Sequence, residues 1–120
     1  MKITKALVGA MALGVASFTS GTAMAAAEVP CSTAKLIVPW APGGGTHIIF
    51  SIFEEIMNKM DGPKIQVVTI GGQGGNKGAK EVNSAKPDGC TLLALHESQI
   101  TTYLAGRVDF TWDAFAPVSL

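Results

Sequence analysis

The chain has 120 residues, and its 9 Lys and Arg balance its 9 Asp and Glu. That balance, with no run of basic residues, argues against nucleic acid as a partner. Two cysteines and two histidines are too few for a metal site, and no cofactor fingerprint is present. The N-terminus reads as a secretory signal peptide over residues 1–25. Lys2 and Lys5 form a positive head, and Ala6 to Phe18 is an apolar run too short to span a bilayer. Ala23-Met24-Ala25 then supplies a processing pattern before Ala26. Residues 26–120 are expected to hold one small domain.

Taken in order, Ala34 to Pro39 is predicted as strand one, continuously apolar from Leu36 to Val38 as in a strand covered on both faces. Pro42 to Gly45 is a turn, and a helix follows from Thr46 to Met60. In it Ile49, Ile52, Phe53, Ile56 and Met60 recur every three or four residues and form one apolar face. Asp61-Gly62-Pro63 is expected to end it. Strand two runs from Ile65 to Ile70 and contains the β-branched Val67, Val68 and Thr69. Residues 71–78 carry five glycines in eight positions and are expected to be a loop without regular structure. A short helix is predicted from Ala79 to Ala85, a turn at Lys86-Pro87-Asp88-Gly89, and strand three from Thr91 to Leu95. A further helix from Gln99 to Ala105 precedes an irregular aromatic stretch from Arg107 to Ala116. Val118 looks like the start of a fourth strand, so the chain reads as a truncated or partial product.

Strands alternating with helices predict an α/β fold: a parallel sheet with flanking helices and right-handed crossovers. Ligands of such sheets sit beyond the C-terminal strand ends, where the segments 40–47, 71–78 and 96–98 are expected to converge. Cys31 stands before strand one and Cys90 before strand three. In an oxidising compartment they either pair, as parallel neighbouring strands would allow, or remain separate thiols.

The glycine turns bear on chemistry. A glycine-rich turn at a helix start leaves backbone N–H groups free and favours an anion. The Gly43-Gly44-Gly45-Thr46 turn lacks the lysine of a nucleotide phosphate loop, and Lys77 stands where a dinucleotide fingerprint would need its last glycine. A carboxylate needs only a few N–H donors and a hydroxyl, which Thr46 and Ser98 supply. His47 and His96 either contact the ligand, sense pH, or serve as polar loop-edge residues. Trp40 either walls the ligand or anchors the turn. No nucleophile elbow or Cys–His relation is present, and Glu97 and Ser98, as neighbours on a strand, point to opposite faces; the chain is not expected to be an enzyme.

Four segments carry a family resemblance. They are Ile37-Val38-Pro39-Trp40-Ala41-Pro42-Gly43-Gly44-Gly45-Thr46, Gly74-Gly75-Asn76-Lys77-Gly78, Lys86-Pro87-Asp88-Gly89-Cys90-Thr91-Leu92-Leu93 and Phe115-Ala116-Pro117-Val118-Ser119-Leu120. In this order they resemble the periplasmic substrate-binding proteins of tripartite tricarboxylate transporters, the Bug receptors. The resemblance implies a two-lobed receptor of the periplasmic-binding-protein kind, of which residues 26–120 would be a partial N-terminal lobe with the second lobe absent. It implies capture of a small organic acid of the di- or tricarboxylate type, and delivery to a two-component membrane permease. Carried over, the ligand residues are Pro42, Gly43, Gly44, Gly45, Thr46, Gly74, Gly75 and Asn76, completed by the third loop with Ser98. The family usually has aspartate at the position of His47, which places that residue beside the ligand, and tyrosine at that of Cys90. The alternatives are a truncated fragment that binds nothing and an enzyme fragment with a nucleotide fold.

Overall fold

The computed structural model describes residues 29–118. The signal-peptide reading of 1–25 lies outside the described residues, as do Ser119 and Leu120 of the expected fourth strand.

Three strands form one parallel sheet: β1 (Thr33–Val38), β2 (Lys64–Thr69) and β3 (Thr91–Leu93), in the order β2-β1-β3. β1 is the centre. It pairs along its whole length with β2, from Thr33 opposite Lys64 to Val38 opposite Thr69, and with β3 from Lys35 opposite Thr91 to Ile37 opposite Leu93. A strand hydrogen-bonded on both sides and covered on both faces must be apolar on consecutive residues, and Leu36, Ile37 and Val38 are all buried.

The helices between the strands are α1 (Gly45–Met57) and α2 (Asn76–Asn83), with α3 (Ser98–Leu104) after β3. The chain steps from β1 to β2 on one side, then crosses back past β1 to β3. Right-handed crossovers in opposite directions place α1 and α2 on opposite faces. The core divides accordingly. Ala34, Leu36, Val38, Ile65 and Ala94 form one cluster, against which Phe50 and Met57 of α1 pack. Ile37 and Ala79 are buried outside that cluster.

Two sequence expectations are corrected. The apolar stripe of α1 does not face the sheet: Ile49, Ile52, Phe53 and Ile56 are exposed, as is Met60 beyond the helix end, and α1 contains no buried residue. The apolar face of α1 is broad and also includes Ile48, Phe50 and Met57, so spacing alone does not say which stripe packs. Its rotation is fixed instead at its C-terminal end. Asn58 accepts from Ile65 N–H at 2.8 Å and donates to Ile65 O at 2.9 Å. Lys64 reaches back to the terminal carbonyls of Asn58 (3.2 Å) and Met60 (2.9 Å). These contacts end the helix at Met57, ahead of Asp61-Gly62-Pro63.

The glycine-rich segment 71–78 is also more regular than expected. A 3₁₀ turn occupies Gln73–Gly75, and α2 begins at Asn76. Gly78 lies inside that helix because a β-carbon there would stand 2.8 Å from Pro39 Cβ and 2.9 Å from Ile70 O. Only a bare backbone lets α2 approach the end of β1 so closely.

Cys31 and Cys90 are joined by a disulfide, with Cα atoms 5.9 Å apart and a sequence separation of 59. It ties the entries of β1 and β3 together, next to the Lys35 N–H bond to Cys90 O at 2.9 Å. By loop-closure entropy such a crosslink stabilises a small domain by about 4 kcal/mol. Replacing both cysteines by serine is expected to lower the unfolding free energy by that order, read from urea denaturation. A change below about 1 kcal/mol would show that the sheet edge holds without the crosslink.

Candidate functional site

A parallel sheet brings the C-terminal ends of its strands to one edge, so the segments after Val38, Thr69 and Leu93 start side by side. Ile70 N–H donates to Val38 O and Ala94 N–H to Ile37 O, both at 2.9 Å, which extends the alignment one residue beyond β2 and β3. The three segments then meet on Trp40. Its indole stacks on the His96 imidazole, with ring centroids 3.8 Å apart and planes 10° from parallel. On another side the indole lies against Gly75, where a β-carbon would stand 3.5 Å from Cζ2. The backbone of Trp40 and Ala41 approaches Gly71, where a β-carbon would stand 3.3 Å away. The site is thus a rim formed by all three loops, and the stack spans β1 and β3, the point at which the strand order reverses.

The rim is rich in main-chain donors. Gly44 caps α1, and no side chain caps it. The amides of Gly45, Thr46 and His47 occupy the first helical positions, which have no acceptor within the helix. Gly43, in the left-handed region at φ +83°, points its N–H at His47 Nδ1, 3.2 Å away. On the third loop Ser98 N–H donates to His96 Nδ1, also at 3.2 Å. At the second loop Gly75 caps α2, again without a side-chain cap. Gln73, at φ +54°, is the non-glycine residue in the left-handed region there, and Gly75 N–H closes the turn on Gly72 O at 3.1 Å. The Lys77 stem runs back to within 3.7 Å of the β-carbon position at Gly72.

The residues singled out from sequence are distributed as follows. Pro42, Gly43, Gly44, Gly45 and Gly74 are exposed, and Thr46, His47 and Ser98 are half-buried. Gly75 is buried, and Asn76 lies beneath the surface at 1% exposure, its Oδ1 without a hydrogen-bond partner. A buried acceptor in that state costs about 1–3 kcal/mol unless water or a ligand donor reaches it. Sequence reasoning missed two relations: the stacking of Trp40 on His96, and the use of both histidines as acceptors for loop amides. The only signal for them was that each of these residues stands near the end of a strand.

Two open cavities of about 370 Å³ lie elsewhere, along the segment after α3. One is lined by Lys80 and residues 106–109, the other by Tyr103, Asp109, Phe110, Thr111, Asp113 and Ala114. In the second, the Thr111 hydroxyl bonds the Asp113 carboxylate and holds its pKa below the usual carboxylate range. The glycine rim belongs to neither cavity and is an open surface. Among the described residues, no group of three His, Cys, Asp or Glu side chains converges on a metal position.

A three-stranded parallel sheet with helices on both faces, and loops gathered at its C-terminal edge, is the architecture of part of a periplasmic-binding-protein domain. Comparison with known proteins agrees. The chain is 36% identical over 74 residues to the "UPF0065 protein in the TAR-I ttuE-ttuC' intergenic region" of Agrobacterium vitis, a match covering 62% of this chain and 21% of that protein. It also matches the crystal structure of a TctC solute binding protein from Polaromonas, solved without ligand, at TM-score 0.64 and 28% identity. That match covers 68% of this chain and 28% of the other. No protein-family model matches the chain. In sequence and in fold the chain is therefore similar to solute-binding proteins of the TctC kind, and it spans less than a third of the length of each of these two proteins.

If Trp40 and His96 act as one unit, their contributions to stability are coupled. A double-mutant cycle of Trp40→Ala and His96→Ala is expected to give a coupling energy of about 0.5–1.5 kcal/mol. Additive effects would show that the loops keep their positions without the stack.

Proposed function

We propose that this chain is one lobe of an extracytoplasmic receptor that captures a small organic acid by its carboxylate and passes it to a membrane permease, without performing a reaction. The observation that carries the reading is the uncapped start of α1. Its free amides stand on the same sheet edge as the glycine turn that opens α2. Backbone N–H groups and the positive end of a helix dipole suit a carboxylate, and Lys77 adds a favourable charge. In this reading Pro42 through His47, Gly74, Gly75, Asn76 and Ser98 line one side of the solute, and a second lobe supplies the other. The Cys31–Cys90 disulfide supports a periplasmic location, because such bonds persist in oxidising compartments. The likeness to a TctC solute binding protein supports the receptor class. The open rim favours a second reading, in which this chain alone is a fragment that binds nothing.

Calorimetric titration of the 120-residue chain with succinate and with its uncharged diamide separates the two. The receptor reading predicts weak binding of the diacid, with a dissociation constant of about 1 mM, and none of the diamide. No heat with the diacid favours the non-binding fragment. Equal heat with both ligands contradicts a carboxylate site.

A further inference from the structure

We infer that His47 and His96 are proton-released caps on the rim, so that an anionic solute binds together with protons taken up by these two imidazoles. The inference rests on the receptor reading above. Each ring spends its Nδ1 lone pair on a main-chain N–H of the rim: Gly43 for His47 and Ser98 for His96, both at 3.2 Å. A neutral imidazole has one acceptor nitrogen, whereas a protonated imidazole has two donors and no acceptor. Neither contact survives protonation, because two N–H groups would then face each other. The ring turns away, and the Gly43 or Ser98 amide is left for a ligand oxygen. The same event adds positive charge beside the uncapped amides of α1. Anion binding and proton binding therefore assist each other, and linkage makes the assistance reciprocal.

The two histidines differ in their surroundings. His96 is stacked under Trp40 from the first loop, and the Glu97 carboxylate from its own loop lies 3.8 Å from its Nδ1. Once protonated, His96 has that carboxylate to turn to, which offsets part of its charge. Among the described residues no carboxylate lies within 4.0 Å of His47. Glu55, further along α1, is held by Lys59 at 2.7 Å.

The test is a titration of the full chain with sulfate, which stays divalent between pH 5.5 and 8, the window in which imidazole charge changes. Binding is followed through the backbone amide resonances of Gly43, Gly45, Thr46 and Ser98. The affinity is expected to be about tenfold tighter at the acid end. Replacing both histidines by asparagine keeps an acceptor near each Nδ1 position but removes the titrating group, and the profile should become flat. An affinity that is the same at both pH values, with the rim amides still responding to sulfate, overturns the capping role and leaves the receptor reading intact. A full pH response in His47→Asn/His96→Asn overturns it as well. Rim amides that ignore sulfate at both pH values overturn both.

Discussion

The position of Trp40 is the constraint on which the rest of the site depends. A strand ends at Val38, a buried proline follows, and the next residue projects an indole across the place where the strand order reverses. One face of that ring takes the imidazole of the third loop, and another side takes the bare backbone of the second. Loops built mostly of glycine have little side-chain surface with which to hold one another. A single aromatic plate, in contact with the second and third loops, replaces that missing packing. Gly75 and Gly78 serve the same end from the other direction, since a β-carbon at either would stand against Trp40 or Pro39.

The opposite edge of the sheet is secured by covalent means. The disulfide joins the entries of β1 and β3, where β3 contributes only three residues of strand. The sheet is thus held at its entry by a sulfur bridge and at its exit by an aromatic stack. Between the two lies a narrow core, and α1 offers it only Phe50 and Met57 while the isoleucine stripe stays exposed. The anion binding proposed for the rim would draw on this arrangement more than on side-chain chemistry, since most of the donors are main-chain amides.

The fold was largely legible in the sequence because its signals are local. The apolar run Leu36-Ile37-Val38, the β-branched Val67-Val68-Thr69 and the turn Lys86-Pro87-Asp88-Gly89 each mark an element without reference to the others. The misread features are those that depend on partners distant in the chain. The rotation of α1 is set by Asn58 bonding to Ile65, and hydrophobic spacing in a helix with a broad apolar face does not encode that choice. Residues 71–78 looked too rich in glycine for regular structure, yet Asn76 to Gly78 open a helix because close packing on Pro39 demands a glycine there. The convergence of the three loops followed from parallel topology alone. The histidine acceptors did not, because a four-residue reach from Gly43 to His47 depends on the turn geometry.

The central claim is that main-chain amides from successive loops share one carboxylate at the exit edge of the sheet. A crystal structure of the chain grown with a small dicarboxylate tests it most directly. The account predicts one carboxylate group lying over the start of α1, with oxygens within hydrogen-bonding distance of the Gly45 or Thr46 amide and of the second glycine loop. A dicarboxylate found instead in the cavities along residues 103–114, with the rim bare, would contradict it.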